Sequence, residues 1–126
     1  MNDNYNTPSF IKEIFSGWFD PCPISDGNLR EFDGLGDWKD KTFVNPPYSS
    51  PLKWVEKAIS ENKKGKTIVM LLRVDTSTKW YAKLVEANAE ILFFNGRLHF
   101  SNKPANFPSM LVILSKEQIK IEESLT

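Results

Sequence analysis

Apolar positions along this chain change their spacing several times, and each change marks an element. Phe10, Ile11, Ile14 and Phe15 recur at helical spacing. Thr7 offers a cap before them, Pro8 suits a first helical turn, and Gly17 closes the segment. Trp18-Phe19 is a short apolar run that ends in Asp20-Pro21-Cys22-Pro23. Residues 24–40 carry Gly27, Gly34, Gly36 and several acids, which predicts loop with a short helix over Asn28 to Phe32. Lys41-Thr42-Phe43-Val44 is β-prone and leads into Asn45-Pro46-Pro47-Tyr48. A helix follows, with Ser49 or Ser50 as cap, Pro51 as first residue, Leu52, Val55 and Ile59 as its buried stripe, and Gly65 as its stop. Thr67 to Leu72 is an unbroken apolar run rich in β-branched residues, the pattern of a strand buried on both faces. Asp75, Thr76 and Ser77 offer a cap for a helix to about Ala87, with Tyr81, Leu84 and Val85 inward. Ile91 to Phe94 reads as a strand. Asn95-Gly96 then predicts a tight hairpin returning through Arg97 to Phe100. Met110 to Leu114 is the last strand, after a Pro/Asn loop and before a charged tail. Strands alternating with helices give an α/β domain.

Composition narrows this. At 126 residues the chain is one domain over 1–126, with loose ends at about 1–6 and 116–126. Hydrophobic residues make up 40% and charged residues 25%, enough apolar surface for a modest core. Formal net charge is zero, which excludes a broad basic footprint on nucleic acid and leaves only a local patch. Cys22 is the single cysteine and His99 the single histidine, so neither a disulfide nor a Cys- or His-built metal site is expected. Lys63, Lys64 and Lys66 read as a solvated helix end, where cations complement the helix dipole. No signal peptide and no membrane-length apolar run is evident, so an intracellular location is expected.

The chemistry concentrates in Asn45-Pro46-Pro47-Tyr48, between the end of a strand and the start of a helix. In open α/β sheets ligands bind at that edge. Proline has a carbonyl but no N–H, so two prolines make a stiff turn whose carbonyls are free to accept. Asn45 adds an amide oxygen and Tyr48 an aromatic face. An exocyclic amino group on a base could give one hydrogen to Asn45, the other to the Pro46 carbonyl, and stack its ring on Tyr48. Held that way, the nitrogen lone pair leaves the ring's conjugation and becomes a nucleophile. A plain proline turn after a strand would account for the same four residues.

Further pieces stand in a fixed order around the tetrad: Thr7-Pro8, Asp20-Pro21-Cys22-Pro23, Phe32-Asp33-Gly34-Leu35, Asp37-Trp38, Trp54, Lys57-Ala58, Val69 to Leu72, Thr76, Lys79-Trp80, Gly96-Arg97-Leu98, Phe100 and Phe107-Pro108-Ser109. In these the chain resembles the small, phage-type DNA N6-adenine methyltransferases, over most of residues 7 to 114. The resemblance implies a minimal Rossmann-like methyltransferase sheet with flanking helices and a C-terminal hairpin. It implies S-adenosylmethionine as cofactor, adenine in DNA as substrate, no metal, and a phage or prophage origin. Asn45, Pro46, Pro47 and Tyr48 would be catalytic. Thr7, Pro8, Asp20, Pro21 and Cys22 would lie by the cofactor. Asp33 and Asp37 are candidates for its ribose, with Asp37 favoured. Ser49, Lys79, Trp80, Arg97 and Phe100 would lie near the DNA. Two departures count against a full match: no Gly-x-Gly follows Asp20, and Arg73 stands where the family commonly has proline. A methyltransferase acting on RNA or on a protein amide, and a non-catalytic domain of the same fold, are the alternatives. The number of subunits is not legible.

Overall fold

The computed structural model describes residues 5–22, 34–100, 104 and 107–115. Helix α1 spans Ser9–Ile14, strand β1 Thr42–Val44, helix α2 Pro51–Lys63, strand β2 Ile68–Arg73, helix α3 Lys79–Glu86, strand β3 Glu90–Phe93 and strand β4 Ser109–Leu114. The sheet order is β1-β2-β4-β3. β1 and β2 are parallel, and β4 is antiparallel to both β2 and β3. Three strands therefore point one way, and β4 runs back between two of them. A parallel bridge from Phe19 to Thr42 continues the sheet beyond β1. There the Phe19 N–H donates to the Lys41 carbonyl and the Phe43 N–H to the Phe19 carbonyl. Asp20, Asn45 and Arg73 follow or end chain segments that run in the same direction, so they share one edge of the sheet. Ser109 joins them as the antiparallel partner of Arg73.

Alternation along β2 and β4 divides the core. Ile68, Met70, Leu72, Met110, Val112 and Leu114 pack with Trp54, Val55 and Ala58 of α2 and with Trp80 and Leu84 of α3. Val69, Leu71, Leu111 and Ile113 face the other way, onto Ile11, Phe15, Phe43, Leu98 and Phe100. Both faces of the central pair are covered, which is why the Thr67–Leu72 run shows no polar alternation.

Several expectations change. Thr7 does not cap α1. Pro8 occupies the cap position without a side-chain bond, and its carbonyl receives the Ile11 and Lys12 N–H groups. Only Ile11 and Phe15 turn inward from that helix, while Phe10 and Ile14 are half exposed. α3 is capped by Thr78, whose Oγ accepts the Tyr81 N–H at 3.2 Å. Asp75 instead binds the Ser77 amide and hydroxyl in the turn before it. Ser50 precedes Pro51 as expected but makes no capping bond, and Val85 is exposed. The tight hairpin at Asn95-Gly96 does not form. Gly96 turns with φ +79°, but β3 pairs with β4 rather than with residues 97–100. Leu98 and Phe100 bury against the α1 face instead, and that gain exceeds pairing along a half-exposed edge strand. A hairpin does exist, but it is β3 and β4 joined by a wide loop. The helix expected over Asn28 to Phe32 lies outside the described residues, as do Pro23 and Asp33.

The largest surprise is Glu61, fully buried on α2. Its carboxylate accepts from Lys64 at 2.8 Å, from Lys57 and the Trp38 N–H at 3.2 Å each, and from Lys66. Lys66 also donates to the Trp38 carbonyl. Lys64 and Lys66 are therefore not a free basic end. Burial works to raise the Glu61 pKa, but the three lysines and the Trp38 amide outweigh it and hold the carboxyl at about 2. The network ties residues 34–40 along α2. At the other end of that segment Gly34 presses on Trp54 and Pro21, where a Cβ would collide with both.

Candidate active site

Asn45-Pro46-Pro47-Tyr48 leaves β1 at the shared edge and turns into α2. The Pro47 carbonyl accepts the Ser50 N–H at 3.4 Å and closes the turn. The Pro46 carbonyl takes no backbone hydrogen bond among the described residues. The Asn45 Nδ2 donates to the Tyr5 carbonyl and, at 3.2 Å, to Thr7 Oγ. A carbonyl can only accept, so the Tyr5 contact fixes which end of the amide faces it. The Oδ1 is turned the other way and accepts no hydrogen bond among the described residues. The segment before α1 thus aims an acceptor that the sequence alone leaves free to rotate.

Tyr48 is closely packed. The Arg73 guanidinium lies 4.9 Å from its ring centre, and the Phe107 ring lies 4.8 Å away at 32°. Arg73 also lies 5.5 Å from the Trp80 ring, donates to the Tyr48 carbonyl at 3.5 Å and pairs with Asp75 at 3.6 Å. Burial raises the Tyr48 phenol above its ordinary pKa despite Arg73, so the hydroxyl is neutral at physiological pH. Arg73, which stood out only as a departure, is a cation clamped between two aromatic faces.

Beneath the tetrad lies a cavity of about 30 Å³. That holds a water; a benzene ring needs about 150 Å³. Tyr5, Phe100 and Phe107 close it, with Tyr5 edge-on to each of the other two rings at 5.2 Å. Asn45, Pro46, Pro47, Tyr48, Trp80 and Phe100 are brought together around it. Thr7 is buried and reaches the site through Asn45, with Pro8 buried behind it. Ser49, Lys79 and Arg97 are exposed and outside the cavity wall. Asp20 follows the Phe19 bridge and is itself exposed; its carboxylate accepts the Cys22 N–H at 2.9 Å, and Pro21 and Cys22 are buried. Shielding by surrounding protein raises the Asp20 pKa, offset by the Cys22 amide and Lys12. Asp37 is exposed near Lys64, beside Trp38 and the Glu61 end of α2. Asp37 is not in the wall of the cavity beneath the tetrad.

Tyr5, Phe107 and Ser109 were missed as site residues. Tyr5 carries no local signal. Phe107 and Ser109 belong to a segment that the sequence singles out without a role, and the β2–β4 register brings that segment to the edge.

A model of the family described as DNA N-6-adenine-methyltransferase (Dam) matches residues 31–122. A Haemophilus phage HP1 (strain HP1c1) protein named DNA N-6-adenine-methyltransferase is 42% identical over 87 residues, which are 61% of this chain and 50% of that protein. The protein of the same name from Escherichia phage T1 is 39% identical over 72 residues, 55% of this chain and 30% of that protein. The chain spans half the length, or less, of these curated relatives. No solved structure matches it. The family match runs through the tetrad, Arg73, Trp80, Phe100 and Phe107, though not Tyr5, and with it the chain belongs to the DNA N-6-adenine-methyltransferase (Dam) family.

Proposed function

We propose that this protein methylates adenine N6 in DNA with S-adenosylmethionine as donor. The observation that carries the reading is the Asn45 side chain, whose Nδ2 is consumed by Tyr5 and Thr7 so that its Oδ1 is left as an acceptor, in a cavity that Pro46 also lines. A primary amine on a planar ring supplies the two hydrogens that this pair accepts. Accepting both weakens conjugation of the nitrogen with the ring and orients its lone pair for attack. The amine sheds its extra proton after attack, so no strong base is required at the site. The sheet order supports a Rossmann-like arrangement, since Phe19, β1 and β2 present successive carboxyl ends at one edge.

The residues fit the cofactor. Trp54 Nε1 is a buried donor with no partner among the described residues, and Trp54 packs where Gly34 and Pro21 meet. Asp20, Pro21 and Cys22, with Thr7 and Pro8, would hold the cofactor at this edge. When bound, it supplies an electrophilic methyl group. Because Asp20 presents an exposed carboxyl at that edge, just after the Phe19 bridge, Asp20→Ala is expected to weaken S-adenosylmethionine binding at least tenfold in calorimetry without lowering the melting temperature. Unchanged affinity in the folded variant removes Asp20 from the site.

A base does not fit the cavity as it stands, so its entry requires the Tyr5 and Phe107 rings to swing aside and free one face of Tyr48. Stacking of a base there is worth about 1–3 kcal/mol. Tyr48→Phe is expected to keep most activity, while Tyr48→Ala loses at least tenfold, because the ring face does the stacking. Equal losses in the two variants would assign the role to the hydroxyl. Incubation with labelled donor and either DNA or RNA, followed by nucleoside digestion, tests the function directly. Labelled N6-methyladenine from DNA is expected. Label only in RNA or in protein would replace DNA as the substrate. With phage relatives, an origin in a phage or prophage and action inside the host cell follow as part of the same reading.

A further inference from the structure

Ser109 stands apart from everything else in the cavity wall. It opens β4 opposite Arg73, and its side chain is 1% exposed. Its carbonyl accepts the Phe94 N–H, but its Oγ has no hydrogen-bond partner among the described residues. Burying a hydroxyl unpaired is unfavourable, and alanine would fill nearly the same space without that cost. The wall around it is mostly aromatic and aliphatic, with Leu71, Leu72, Phe100 and Phe107; Asn45 and Arg73 are its other polar side chains besides the tyrosines. The cavity beside it has room for one water, which can satisfy the hydroxyl until a base displaces it.

We propose that Ser109 is a base-reading residue, whose hydroxyl donates to a ring nitrogen of the base that enters beneath the tetrad. The inference rests on the adenine reading above and names how that site tells adenine from other purines. Asn45 Oδ1 and the Pro46 carbonyl are acceptors and take the two amino hydrogens. The ring nitrogens N1 and N7 flank the amino group and are themselves acceptors, so they need a donor. Arg73 turns one nitrogen to the Tyr48 carbonyl and another towards Asp75, and its guanidinium lies over the Tyr48 and Trp80 rings. Ser109 Oγ–H is buried, uncommitted and in the same wall. In guanine N1 carries a hydrogen and the exocyclic group is an oxygen, which these acceptors repel.

The test uses the full chain, S-adenosylmethionine and random-sequence DNA duplexes carrying adenine, 1-deazaadenine or 7-deazaadenine. Melting temperature and kcat/KM are measured for the wild type and for Ser109→Ala. The variant is expected to melt no lower than the wild type, and to lose about tenfold in kcat/KM on adenine. On one of the two deaza substrates the wild type loses about the same factor, and Ser109→Ala loses nothing further. That non-additivity names the ring nitrogen contacted. If the variant's loss is the same on all three substrates, or if it melts lower and keeps full activity, Ser109 does not read the base. A wild type that methylates none of the three removes the adenine reading, and this inference with it.

Discussion

Asn45→Ala is expected to lower methyl transfer by about 10²–10³-fold, the usual cost of deleting one preorganised polar group at a reacting centre. Asn45→Asp is expected to keep measurable activity, because a carboxylate also presents an acceptor oxygen to the amine. The structure adds a cost to the second change. In the wild type the amide nitrogen donates to the Tyr5 carbonyl and to Thr7 Oγ. A carboxylate would face the Tyr5 carbonyl with a second acceptor, and only the Thr7 hydroxyl could turn to donate. Asn45→Asp is therefore expected to loosen the segment before α1 by about 1–3 kcal/mol, while remaining the more active of the two variants. Melting curves and methyl-transfer rates on the three proteins check this. If the alanine variant transfers methyl at the wild-type rate, the tetrad is a structural turn and nothing more.

Glu61→Ala is expected to destabilise the fold by about 3 kcal/mol, which for a domain of this size lowers the melting temperature by roughly 10 °C. The loss comes from the buried Trp38 amide, left without an acceptor, and from Lys57 and Lys66, which must turn out to water. The pH dependence follows from the same group. Glu61 has a folded pKa of about 2 against an ordinary 4.5, so the folded state holds the carboxylate charged where the unfolded chain protonates it. Its contribution is complete above about pH 4.5 and is lost as the pH falls towards 2. Urea titrations of wild type and Glu61→Ala between pH 6 and 2.5 are expected to converge at the acid end. Parallel stability curves across that range would show that the carboxylate charge contributes nothing.

Much of the scaffold was legible because its signals are local. Pro51 begins α2 and Gly65, at φ +98°, ends it, since one residue fixes φ and the other adopts the left-handed region without strain. The unbroken apolar run gave β2 to within one residue at each end, because a strand covered on both faces has no polar side to alternate with. The tetrad was legible because its chemistry lies in four adjacent residues. The hairpin at Asn95-Gly96 misled for the converse reason. The turn signal is local, but Leu98 and Phe100 had a better destination against α1 than alongside β3.

Where the charges go was not legible. Lys64, which is exposed as the pattern predicts, and the half-buried Lys66 show no partner in the sequence because the acid that binds them is buried, and burial is a property of packing rather than of spacing. Asp37 sits beside a tryptophan in family order, yet the course of residues 34–40 along α2 leaves it outside the wall of the cavity beneath the tetrad.

From the sequence alone came the identity of the reacting groups: an amide oxygen, a proline carbonyl and an aromatic ring at the carboxyl end of a strand. Only the tertiary structure decided how those groups are aimed. Tyr5 and Thr7 orient Asn45 from about forty residues away, Arg73 and Phe107 pack against the Tyr48 ring, and antiparallel pairing carries Ser109 to the edge where β1 and β2 end. Aiming depends on contacts between segments far apart in the chain, and a local pattern of residue types carries no record of which distant segment will arrive.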